Sequence, residues 1–130
     1  MQRLTTRSQF QAVLAGRVVA KTAHFALHVL PLSDAPSALF APADAWIGAL
    51  VPKRWAKRAA TRNAIRRQVY QIGPRMAPLL GVSACVVRLR AAFDRALFPS
   101  ASSVLLKKAV RSELEQLFVR LGPTGAGRAA

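Results

Sequence analysis

Seven Lys and Arg side chains and no acid fall within residues 53–67, so any fold must keep these cations in water while burying what lies between them. The segment reads Lys53-Arg54-Trp55-Ala56-Lys57-Arg58-Ala59-Ala60-Thr61-Arg62-Asn63-Ala64-Ile65-Arg66-Arg67. Ile65, Val69 and Ile72 fall on one stripe at the helical period, which predicts a helix over residues 60–72 with that stripe against a core. Asn63, Arg66, Arg67 and Tyr70 lie away from the stripe and Arg62 at its border. Gly73-Pro74 reads as the stop. The wider stretch from Asp44 to Asp94 holds ten basic residues and no acid between its ends. Unbalanced fields of this kind suit a polyanion, because each cation that neutralises a phosphate releases a condensed counterion. A nucleic-acid surface is the first functional expectation, and a solvated basic helix without a partner is the plain alternative.

The rest of the composition permits a core. Of 130 residues, 52% are hydrophobic despite a net charge of +15, which separates the chain from disordered basic tails. Arg outnumbers Lys, favouring bidentate phosphate contacts and stacking. Cys85 is the single cysteine, so it forms no internal disulfide and reads as a small core residue. No run approaches the ~18 apolar residues of a membrane span. The Arg-containing, acid-poor start is shared with transit peptides, but the whole chain is acid-poor, so a cytoplasmic protein is expected.

Along the chain, Ser8 is placed to cap a short helix over residues 9–14 with Phe10, Val13 and Leu14 on its apolar face, and Gly16 to end it. Residues 24–30 alternate as a strand, with Phe25, Leu27 and Val29 on one face and Ala26 and His28 on the other. Proline and Ser/Asp residues mark a loop over 31–44. Residues 46–51 form a second strand stopped by Pro52, and residues 81–89 a third. Ser102 or Ser103 is expected to cap a last helix whose stripe is Leu106, Val110, Leu114, Leu117 and Leu121. The order helix–strands–helix–strand–helix implies an α+β fold, a small α/β sandwich formed as one domain over residues 1–121, with 122–130 as a frayed tail.

Little here points to chemistry performed by protein side chains. The acids, Asp34, Asp44, Asp94, Glu113 and Glu115, are scattered, without a carboxylate pair or His–acid motif for a two-metal site. His24 and His28 are expected on the same strand face, but no third metal ligand accompanies them. Trp46 reads as core, and Trp55 equally as a stacking platform or a packed ring.

Three patterns in order resemble the protein component of bacterial ribonuclease P. They are Arg3-Leu4 with Ser8-Gln9-Phe10, then Ile47-Gly48 with Lys53-Arg54 and Arg62-Asn63-Ala64-Ile65-Arg66-Arg67, then Val86-Val87-Arg88-Leu89-Arg90 before a long helix. The resemblance spans residues 3–121. The chain departs from the family pattern at Ala64 (usually Arg), Arg66 (usually Lys), Leu14 (often Phe) and His28 (sometimes Tyr). The resemblance implies a ribosomal protein S5 domain 2-like fold with a left-handed βαβ crossover around the basic helix. It also implies a non-catalytic subunit bound one to one to a catalytic RNA that cleaves the 5′ leader from precursor tRNA with Mg²⁺. RNA binding would fall to Lys53, Arg54, Lys57, Arg58, Arg62, Asn63, Arg66 and Arg67, and a leader cleft to Phe10, Leu14, Ala26 and His28. The competing expectation is a ribosomal or ribosome-assembly RNA-binding protein with the same basic surface and no cleft.

Overall fold

The computed structural model describes residues 1–36, 38–94 and 104–121. The elements in order are β1 (Gln2–Arg3), α1 (Arg7–Leu14), β2 (Arg17–Lys21), β3 (Phe25–Pro31), a 3₁₀ turn (Leu32–Asp34), β4 (Trp46–Leu50), α2 (Ala59–Leu80), β5 (Ser83–Leu89) and α3 (Val104–Val119). They form an α+β sandwich on a single five-stranded sheet in the order β1-β4-β5-β3-β2. β4 and β5 are parallel neighbours joined through α2, while β3 runs antiparallel to both β5 and β2. The expected βαβ unit around the basic helix is therefore present.

Strand alternation sorts the sheet into two faces. Phe25, Leu27 and Val29 of β3, Ile47 and Ala49 of β4, and Cys85, Val87 and Leu89 of β5 meet the apolar stripes of α2 and α3. That α3 stripe is Leu106, Val110, Leu114 and Leu117, with Leu121 just beyond, as its periodicity predicts. The expected Ser102 or Ser103 cap and the tail over 122–130 lie outside the described residues. On the opposite face Val13 of α1 joins Leu4, Phe40, Trp46, Ala84 and Val86 in a second cluster. Cys85 is fully buried, and desolvation pushes its thiol well above the usual range, so it serves as packing.

Two helix ends differ from the sequence expectation. Thr6, not Ser8, caps α1: its hydroxyl accepts from Gln9 N–H at 3.2 Å, and Gln9 Oε1 accepts from the Thr6 N–H at 3.1 Å. This reciprocal capping box satisfies two donors where Ser8 would satisfy one. α2 runs through Gly73-Pro74 to Leu80, with Pro78 also inside it. Each interior proline costs about 3 kcal/mol. Burial of Ile72 and Leu80, each worth roughly 1.5–3 kcal/mol, and partial burial of Met76, Ala77 and Leu79 oppose that cost. Gly73 is itself buried: an added Cβ would come within 2.9 Å of Ile47 Cδ1, so helix and sheet approach closely there. Gly81 ends α2 at φ 63°, a conformation that favours glycine, with its N–H donating to Ala77 O.

Candidate nucleic-acid interface

α2 presents the face its sequence pattern implies. Ile65, Val69 and Ile72 are buried, whereas Asn63 and Arg67 are exposed and Arg66 half-exposed. Asn63, Arg66, Arg67, Tyr70 and Gln71 line an open groove of about 490 Å³ whose other wall is Arg3 from β1. The Arg3 guanidinium carbon lies 4.3 Å from the Tyr70 ring centroid, and the Tyr70 hydroxyl accepts from Ala49 N–H at 3.3 Å, fixing the ring against the sheet. Arg66 donates to Asn63 Oδ1 at 3.1 Å, which orients its guanidinium along the helix. The sequence reading placed Arg3 in the opening motif but not among the RNA-binding residues, because only the parallel pairing of β1 with β4 brings it beside a helix more than fifty residues away.

The segment before α2 is not helical. Lys53, Arg54, Lys57 and Arg58 are exposed around turns opened by Pro52, whose carbonyl accepts from the Trp55 and Ala56 N–H groups. The Trp55 ring is half-buried against the main core, and the Arg54 guanidinium carbon lies 5.3 Å from its centroid. Packing thus accounts for most of this tryptophan. Arg62 turns back on the chain: its Nη1 donates to Ala56 O at 3.1 Å and Lys57 O at 2.9 Å. Arg62, expected as an RNA contact, is thus engaged by two backbone carbonyls of the protein itself.

On the other face of the sheet, register aligns two cross-strand rows. One is Gly48, Val86, His28 and Val18; the next is Leu50, Arg88, Ala26 and Lys21. α1 lies over the first row. A Cβ at Gly48 would fall 2.6 Å from Phe10 Cε1, so the absence of a side chain lets the phenyl ring settle on β4. Phe10 and Leu14 are half-buried and retain accessible surface. Ala26 is fully buried and His28 only 6% exposed, which corrects the expectation that they line an open cleft: α1 and neighbouring side chains cover them. The half-exposed residues beside α1 are instead Leu50 and Arg88. Arg88 Nε donates to His28 Nε2 at 3.1 Å.

The two histidines do not share a face. The chain bends at Ala23 and His24 before β3 begins, and His24 Nδ1 donates to Glu113 Oε1 of α3 at 2.7 Å. The second oxygen of Glu113 accepts from Thr22 Oγ1 at 2.6 Å and His24 N–H at 2.7 Å, tying α3 to the β2–β3 connection. Arg90 Nη1 donates to the Thr22 and Ala23 carbonyls at 2.7 and 3.1 Å. Among the described residues no three His, Cys, Asp or Glu side chains gather as a metal site. No described helix is long and apolar enough to cross a membrane.

A family model described as Ribonuclease P matches residues 1–121. The ribonuclease P protein component of Ralstonia pickettii is 37% identical over 129 residues, which cover 98% of this chain and 85% of that protein. That of Bordetella parapertussis is 34% identical over 119 residues, covering 92% and 90% respectively. Among solved structures, the Staphylococcus aureus RNase P protein is similar with a TM-score of 0.63 at 17% identity, over 90% of this chain and 92% of that one. The Thermotoga maritima RNase P protein gives 0.59 at 18% identity, over 91% and 96%. These structural likenesses speak for the fold, and the family match and sequence identities for descent: the chain belongs to the ribonuclease P protein family.

Proposed function

We propose that this chain is the protein subunit of a ribonuclease P holoenzyme and acts in the cytoplasm as one copy on one catalytic RNA. It assists removal of the 5′ leader from precursor tRNA without supplying the cleaving groups. The observation that carries the reading is the α2 groove, where Arg66, Arg67 and Arg3 converge around Asn63 and Tyr70 while every acid of the chain lies on other elements. Cations fixed on a rigid helix engage backbone phosphates, and Asn63 adds uncharged hydrogen bonds. Lys53, Arg54, Lys57 and Arg58 extend the field along the RNA.

The Phe10 ring on the opposite face gives a leader base an apolar surface, where stacking contributes about 1–3 kcal/mol per base whatever the sequence. Mg²⁺ belongs in this reading to the RNA and the substrate, whose phosphates supply the oxygen ligands the ion prefers. The protein's part is to bind, orient and neutralise charge.

Single-turnover cleavage of a precursor tRNA by bacterial ribonuclease P RNA at low Mg²⁺, with and without the purified protein, tests the proposal. Acceleration by protein is expected. Absence of acceleration would return the chain to the ribosomal or assembly class of RNA-binding protein. RNA-free protein alone is expected to cleave nothing, and cleavage that survives prior nuclease treatment would overturn the non-catalytic assignment.

A further inference from the structure

We propose that Arg88 is a phosphate-binding residue beside α1, taking the backbone of the single-stranded leader, and that His28 is its positioning residue. The inference rests on the leader-binding reading above and adds a site to it. Several basic side chains outside the α2 groove make hydrogen bonds that fix them, and they are fixed differently: Arg111 uses both Nε and Nη2, on Gln68 and Gln71. Arg62 and Arg90 each direct Nη1 to two backbone carbonyls. Arg88 instead spends only its Nε, on the His28 ring, and both Nη groups are without partners among the described residues. A guanidinium held through Nε keeps its terminal N–H pair available as a fork, the geometry that matches two phosphate oxygens.

The bond also sets the histidine. Arg88 is always a donor, so Nε2 of His28 is the acceptor and the ring proton resides on Nδ1, which is buried beside the Leu14 end of α1 without a sound hydrogen-bond partner. Burial first, and the Arg88 charge second, hold the imidazole's pKa below its ordinary 6.5, while the Leu14 carbonyl pulls the other way. The ring is therefore neutral at pH 7 and remains an acceptor. Register places Arg88 in the row with Leu50, and three residues after Leu50 the chain enters the basic run at Lys53. The strand that pairs with Arg88 thus leads, past the uncharged Val51 and Pro52, into the basic run.

The test uses reconstituted holoenzyme and measures equilibrium binding of precursor tRNAs with leaders of one and of several nucleotides, and of mature tRNA, over a range of KCl. Arg88→Ala is expected to weaken binding of the longer leader by about tenfold, as for a hydrogen bond to a charged group. It should also reduce the log–log salt slope by roughly 0.7, the value for one phosphate on a single strand. Mature tRNA should bind as before. His28→Leu should lose part of the same affinity although no charge is removed, and His28→Gln, whose amide oxygen can accept from Nε, should recover it. Melting temperatures accompany each variant, and Arg88→Gln, which preserves a donor toward His28, replaces Arg88→Ala if the latter does not fold.

Wild-type affinity and slope in a folded Arg88 variant, with wild-type holoenzyme still distinguishing leader lengths, would overturn the proposal and leave the leader reading standing. An equal loss for precursor and mature tRNA, or weaker assembly with the catalytic RNA, would reassign Arg88 to another contact. Identical behaviour of His28→Leu and His28→Gln would remove His28 from the positioning role. If wild-type holoenzyme does not distinguish leader lengths, the leader reading fails and this site fails with it.

Discussion

Arg62 and Arg66 are neighbours on the first turns of α2, yet one is held by the protein's own carbonyls and the other by Asn63 at the solvent surface. Arg66→Ala should lower the log–log salt slope of RNA binding by roughly 0.7–0.9 while leaving the melting temperature nearly unchanged. Arg62→Ala should instead cost about 1–2 kcal/mol in denaturant unfolding, because two carbonyls before α2 lose their charged donor. His28 supplies a pH dependence of stability. Its folded pKa is lowered, so the unfolded chain takes up a proton first, near 6.5. The stability linked to this ring is thus complete above that pH and lost as pH falls toward the folded value. Urea unfolding from pH 8 to 5 should show wild type losing more stability on acidification than His28→Gln. Sequence showed the density of cations and which of them leave the α2 stripe. It did not show which arginines turn inward, because Arg62, Arg88 and Arg90 are distinguished by carbonyls and a ring contributed by other segments.

Elements with an internal period were legible: the stripes of α2 and α3 and the alternation in β3, β4 and β5 each follow from residues a few positions apart. β1 and β2 were not, since a strand of two residues and another broken by a shift between Val18 and Ala20 exist through their pairing partners. The same applies to the end of α2, where packing against Ile47 and the core outweighs a local Gly-Pro stop. α1 is set on the sheet through Gly48, with Leu4 Cδ1 also only 2.8 Å from where a Cβ would stand. Gly48→Ala should therefore displace Phe10 or tilt α1, costing about 1–3 kcal/mol in unfolding experiments, as overpacked sites do. By moving the ring it should also weaken discrimination of precursor from mature tRNA.

At the scale of the whole molecule the sheet separates two packed layers, with α2 and α3 on one side and α1 on the other, so substitutions on one face can be read without repacking the other. The acids are placed to suit. Glu113 is occupied by Thr22 and His24, and Asp44 accepts from Gln2 and the Ala45 N–H, so neither neutralises the α2 field.

The sheet's two rims have a consequence for how such a protein endures before its RNA is available. One rim is β1, two residues long; the other is β2, interrupted by its register shift and bounded by exposed Arg17 and Lys21. Short, irregular and charged borders give another chain little backbone on which to add a strand, which is how open sheets resist growing into aggregates. Replacing both Arg17 and Lys21 with Val should create a longer apolar border, and light scattering of the RNA-free protein should then rise with concentration and time. Self-repulsion from fifteen net positive charges acts in the same direction, so the charge that draws in RNA also keeps unassembled copies apart.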